Sequence, residues 1–192
     1  MSGPVITVAR KEGWREYAKR VTAITKGGLA AYVGVPSSTS KDRSDQLLGM
    51  ASIKRTKKGK LTKKGRYLQK AAEQDITNAE TLFLLSKGSP IRNQPPRPVL
   101  EPAVQADGNR QAIAHEIAES VKANLQGNKP EAVKRMKRAA MAGQTAARKW
   151  FTDPRNNWAP NAPSTIARKG SDRPGIDTGA TRSAIVGIVG EQ

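Results

Sequence analysis

"NRQAIAHEIAESVKANLQGNKPEAVKRMKRAAMAGQTAARKW", residues 109–150, decides the fold class. Ile113, Ile117, Val121 and Leu125 recur every four residues, the spacing that lines one side of a helix. Gly127 ends that run. Pro130 follows at a first-turn position, where its missing N–H costs nothing. The stretch predicts two long helices, 109–126 and about 130–150. The second would carry Lys134, Arg135, Lys137 and Arg138 on its outer side. His115, the single histidine, lies on the first helix with Glu116 and Glu119 nearby in sequence. A metal site needs more ligands than this, usually a second histidine.

The flanks supply short strands. Residues 4–9, "PVITVA", are β-branched and read as a strand. Residues 12–24 place Trp14, Tyr17, Val21 and Ile24 on one helical face, and Gly27–Gly28 stops that helix. "LAAYVGV", 29–35, reads as a second strand ending at Pro36. A short helix should run from Thr77 or Asn78, as cap, through Leu85 to a stop at Gly88. Ser164 or Thr165 could start one more helical turn, and "SAIVGIV", 183–189, a closing strand. The expected fold is α+β: a small antiparallel sheet packed by two long helices, with a long basic loop or arm. It forms one domain over 1–192, with 37–75 as a basic, mobile insertion.

At 192 residues the chain can bury roughly 70% of its unfolded surface. Aromatics are only 4%, so its core must be built mainly from Ala, Val, Ile and Leu. Cysteine is absent, which excludes disulfides, cysteine-based zinc sites and thiol catalysis. The first residues do not read as a signal peptide. The longest apolar run, "LAAYVGV", falls far short of the ~20 residues that cross a bilayer, so no membrane partner is expected.

Charge is the strongest compositional signal. The formal net charge is +18, from 34 basic and 16 acidic residues. Residues 76–129 are close to neutral, so the excess sits on separable segments. The densest is "KRTKKGKLTKKGRYLQK", 54–70, with nine basic residues and no acid. A run so charged repels itself and reads as an exposed arm or long hairpin loop, with "TKKGKLTKKG" as its turn. Lys54, Arg55, Lys57, Lys58, Lys60, Lys63, Lys64 and Arg66 are its candidate contacts to nucleic acid or another anionic surface. Tyr67 is the one aromatic there, which argues against base stacking as the main mode.

No constellation supports covalent chemistry, and the chain reads as a non-enzyme with no cofactor and no metal. The glycine spacing of a nucleotide-binding loop is missing around "KKGK". Asp177-Thr178-Gly179-Ala180 matches the catalytic turn of retroviral-type aspartic proteases. Only twelve residues follow Ala180, too few for the rest of such a barrel. A turn in which Asp and Thr bond following backbone N–H groups explains the motif more simply.

"IRNQPPRPVLEPA", 91–103, sets Arg97 between prolines ahead of the long helices. Pro95, Pro96 and Pro98 fix φ near −65° and bias their neighbours to extended geometry. The segment reads as a rigid strut.

Two blocks together carry a family resemblance. "NAETLFLLSKGSPIRNQPPRPVLEPAV", 78–104, resembles the Arg-Pro-Phe-containing signature of tail-completion (neck) proteins of lambdoid and Mu-like tailed phages. "NWAPNAPSTIARKGSDRPGIDTGATRSAIVGIV", 157–189, is similar to that family's ending, with its Trp, Lys-Gly and Asp-Thr-Gly. The chain departs from the pattern at Val99, where the family has Phe, at "LSKG", and at Gly175-Ile176. The resemblance implies a structural virion protein without catalysis, a homo-oligomeric ring of six or twelve copies at the head–tail junction. It implies contacts to head-side connector and tail proteins, genomic DNA in the lumen, and assembly in the host cytoplasm. It also implies that Pro95, Pro96, Arg97 and Pro98 form a subunit interface, with Arg97 reaching an acidic group or carbonyl of the adjacent copy. The alternative is a basic nucleic-acid-binding protein of another kind, which accounts for the charge but not for two ordered blocks.

Overall fold

The computed structural model describes residues 28–36, 43–54, 56, 59–73, 76–91 and 93–191. The expected strand 4–9 and helix 12–24 lie outside these residues, as do Arg55, Lys57 and Lys58. In chain order come strand β1 (Leu29–Gly34) and helices α1 (Arg43–Ile53), α2 (Lys63–Ala72) and α3 (Asn78–Lys87). Helices α4 (Leu100–Gln105), α5 (Asn109–Leu125) and α6 (Lys129–Trp150) follow. A 3-10 turn (Pro154–Asn156), α7 (Pro163–Lys169), α8 (Ala180–Ser183) and strand β2 (Val186–Glu191) complete the order.

The fold is α+β. Strands from opposite ends of the described chain, β1 and β2, pair antiparallel, with Val33 opposite Gly187. A two-stranded sheet is marginal by itself and needs a helix against one face. Helix α6 supplies it by packing on both strands, and α5 packs along α6. The approach is close because α6 presents Ala139, Ala140, Gly143, Ala146 and Ala147, all buried. A Cβ on Gly143 would stand 2.7 Å from the Val33 side chain, and one on Gly187 would strike the Ala140 carbonyl. Small residues thus replace large ones as the means of packing, as a chain with few aromatics requires.

Helix boundaries follow local chemistry. Thr77 and Glu80 form a reciprocal capping box at the start of α3. Gly88, at φ 71°, ends it. Asn128 caps α6 by accepting from the Glu131 N–H. Between α5 and α6, the buried Ser120 hydroxyl donates to the Ala132 carbonyl at 2.7 Å. Arg135 does not face outward as expected. Its guanidinium donates to Glu131 at 2.8 Å and to Glu116 of α5 at 3.4 Å, so it ties the pair together. The apolar stripe of α5 is also less buried than its period suggests: Ser120 and Ala123 are its buried residues, and Ile117 is exposed.

The largest correction falls on 37–75. Its described part is a pair of helices, α1 and α2, packed on each other. Leu47 and Ala51 of α1 meet Leu68 and Ala72 of α2 in a small core of their own. The tetrapeptide Thr-Lys-Lys-Gly occurs twice here and is used in two ways. In the first copy the Gly59 N–H donates to the Thr56 carbonyl at 2.8 Å. At Thr62–Gly65 it starts α2, and the Thr62 hydroxyl accepts from the Gly65 N–H. A charged run can bury a face after all when Gly65, Leu68 and Ala72 share one side of a helix and the cations take the other.

Candidate functional site

Two sequence-distant segments meet beside the helix pair α5–α6. Leu82 and Leu85 of α3, Val99 and Ala103 come from the first; Ile185 comes from the second; Trp150 and Phe151 close the cluster from the end of α6. Trp158 packs edge-on against Phe151, with ring centroids 5.7 Å apart. Residues 78–104 and 157–189 are therefore one structural joint.

Arg97 is the polar centre of that joint. It does not project outward toward another copy, as the proline strut suggests. It is 7% exposed, and its guanidinium donates to the Ala159 carbonyl at 2.8 Å and the Pro160 carbonyl at 3.3 Å. Its backbone N–H donates to the Leu85 carbonyl, fixing the strut to the end of α3. Burial pulls its pKa below the ordinary arginine value. Of the strut's prolines, Pro96 and Pro98 stay exposed and Pro95 is half-buried. Fully buried Asn78, at the start of α3, accepts at 3.4 Å from the Thr181 hydroxyl of α8.

Lys169, also buried, extends the polar centre toward the helical hairpin. Its ammonium donates to the Arg173 carbonyl at 2.7 Å, and its own carbonyl accepts from Lys64 at 2.8 Å. Burial lowers the Lys169 pKa; Asp177 opposes this, while Arg97, Lys64 and Arg168 reinforce it. Asp177 has one buried oxygen with no hydrogen-bond partner. In the turn that follows, the Thr178 hydroxyl accepts from the Ala180 N–H at 3.2 Å, and Gly179, at φ 85°, leads into α8. The Asp-Thr-Gly-Ala motif is thus used as a turn between the joint and α8.

The basic hairpin projects from this joint. It is attached where Lys64 reaches Lys169, where α1 touches α8, and where the Arg168 guanidinium lies 5.3 Å from the centre of the Tyr67 ring. Lys63, Arg66 and Lys70 share the outer face of α2 at three- and four-residue spacing, all exposed. Lys54 and Lys60 are exposed on the connection between the helices. Lys64 is spent on an internal carbonyl, and Arg66, though exposed, also donates to the Leu61 carbonyl at 3.5 Å. Arg168 joins the basic face from outside the 54–70 run and covers one side of the Tyr67 ring. Sequence gave no sign of that, because Arg168 lies about a hundred residues downstream of Tyr67. The face is a set of separated exposed cations, a chemistry suited to phosphates or carboxylates.

The first segment also shows apolar surface. Phe83 is 61% exposed and Ile91, on a turn closed by reciprocal hydrogen bonds between Ser89 and Gln94, is 99% exposed. Leu84 lies beside them in sequence and is 44% exposed. No described helix is long and apolar enough to cross a membrane. Among the described residues, no group of three or more His, Cys, Asp or Glu side chains could hold a metal ion. Comparison with known protein families, with curated proteins and with solved structures finds no match.

Proposed function

We propose that this chain is a neck, or tail-completion, protein of a tailed phage. It is a non-catalytic virion component, assembled in the host cytoplasm, whose copies form a ring between the DNA-filled head and the tail. The observation that carries this reading is the joint. The two blocks that resemble the neck family lie 53 residues apart in sequence, from Val104 to Asn157, yet share one core and one buried arginine. Residues that make a family signature are expected to act together, and these do so physically. The exposed Phe83, Leu84 and Ile91 supply a contact surface beside the strut for a neighbouring copy or ring. The interface moves accordingly: Pro96 and Pro98 can still take part, whereas Arg97 is committed within its own chain.

The basic hairpin gives the lumen reading its chemistry. A DNA conduit calls for sequence-independent contacts to phosphate, and scattered lysines and arginines on a helix face provide them. The same face would serve a nucleic-acid-binding protein of another kind, so the deciding test addresses joining. Lysates of the virus lacking this chain should contain filled heads and free tails side by side in the electron microscope. Adding the purified protein should join them. Joined particles formed equally well without it would refute the neck reading.

A further inference from the structure

A second site lies at the end of α6, next to the joint. Residues of the loop after α6, from Phe151 to Trp158, line an open cleft of about 700 Å³ together with Arg173, Pro174 and Arg182 of α8. Trp158, Pro154 and Pro174 give it apolar surface above the buried Phe151, and Arg173 and Arg182 give it charge. The single acid that lines it, Asp153, is already neutralised: its carboxylate accepts from the Arg155 guanidinium at 2.7 and 3.0 Å. The guanidinium groups of Arg173 and Arg182 have no partner among the described residues. The Trp158 indole N–H is likewise buried without an acceptor.

Two arginines without an acid partner, beside Trp158 and two prolines, suit an anion with an apolar neighbour. We infer that this cleft binds an acidic peptide segment of a partner protein, with a carboxylate held by Arg173 and Arg182 and an adjacent apolar side chain against Trp158, Pro154 and Pro174. Arginine pairs bidentately with planar carboxylates, and such pairs are the strong ones at interfaces. A DNA backbone supplies anions but no apolar side chain. A concave site of this volume suits a few residues of peptide better than a duplex. The inference stands independently of the neck reading; under that reading, the segment belongs to an adjoining head or tail protein.

The test uses the full chain and the synthetic peptide acetyl-Asp-Glu-Leu-Glu-amide, followed by titration calorimetry and by tryptophan fluorescence. Each of Arg173→Ser and Arg182→Ser should weaken binding by about tenfold or more, the loss expected for one charge-assisted hydrogen-bonded contact. Changing Lys63, Arg66 and Lys70 to Ser should leave it unchanged. A duplex oligonucleotide and inorganic phosphate should not displace the peptide. No binding at millimolar peptide, equal binding by the Arg173→Ser/Arg182→Ser protein, or displacement by the duplex would each overturn the inference. Peptide binding by a protein that joins no heads to tails would leave the cleft standing and remove the neck reading. Normal joining with the double variant would remove only the cleft's part in it.

Discussion

The joint and the basic hairpin are built from opposite materials. The joint gathers Leu82, Leu85, Val99, Trp150, Phe151 and Ile185 around a buried arginine. Among the described residues, the hairpin's core holds Leu47, Ala51, Leu68 and Ala72, with Met50 and Tyr67 packed against it. Burying one large apolar side chain is worth about 1.5–3 kcal/mol, so the joint holds several times the hairpin's share. The difference teaches a division of labour. The joint sets the shape and relates distant segments; the hairpin displays charge, held by a thin core and a few attachments.

The largest expected effect breaks the joint. Ile185→Ala should cost about 2–5 kcal/mol and lower the Tm of the whole protein by roughly 5–15 °C. Leu68→Ala removes a similarly buried side chain from the hairpin. It should instead speed amide exchange in α1 and α2 and leave α6 protected, because the hairpin can open alone. Loss of protection throughout the chain in the Leu68 variant would show one cooperative core and erase the distinction.

The same contrast explains what sequence could and could not reveal. The joint's helices are legible because their signals are local: Thr77 with Glu80, Gly88, Gly127 and Pro130 punctuate them within a turn or two. Strand β1 was legible as 29–35 and β2 as 183–189, although α8 takes Ser183 and β2 runs from Val186 to Glu191; their pairing joins residues more than 150 positions apart. The hairpin was hidden by its own charge. Leu47 and Ala51, and Leu68 and Ala72, recur at helical spacing, but nine cations between residues 54 and 70 dominate any reading of that run. Arg97 was misread for a different reason. Its acceptors, Ala159 and Pro160, lie 62 and 63 residues downstream, beyond any local pattern.

A smaller effect sharpens the picture of the joint. Arg97→Ala leaves two carbonyls unpaired and should cost about 1.5–3 kcal/mol, as for other hydrogen bonds from charged groups. Pro96→Ala, exposed and acting mainly on the unfolded chain, should cost no more than about 0.4–1 kcal/mol. Equal losses in denaturant unfolding would mean that the strut, and not the guanidinium, holds the two blocks together.

Smaller again is an acid effect at the joint's edge. Hydrogen bonds from the Arg155 side chain and backbone lower the Asp153 pKa from an ordinary 3.8 to about 2. A carboxylate lowered in this way stabilises the fold above its unfolded pKa and loses that contribution as pH falls. Parent protein should therefore lose stability between pH 3.8 and about 2, and Asp153→Asn should flatten that part of the curve. Identical acid limbs in thermal melts would show that the Asp153–Arg155 pairing contributes nothing to folding.

The central claim is that the hairpin carries charge for an anionic partner while the joint carries the fold. It is tested most directly by the salt dependence of duplex DNA binding, compared between the parent and a variant with Lys63, Arg66 and Lys70 all changed to Ser. Each lost phosphate contact should reduce the slope of log K against log salt by about 0.9, so three should reduce it by roughly 2.7. The Tm should stay within about 1 °C, because exposed cations away from any packed feature contribute little to folding. An unchanged slope would show that the basic face is merely solvated, and a falling Tm would show that it belongs to the core's support; either result contradicts the account.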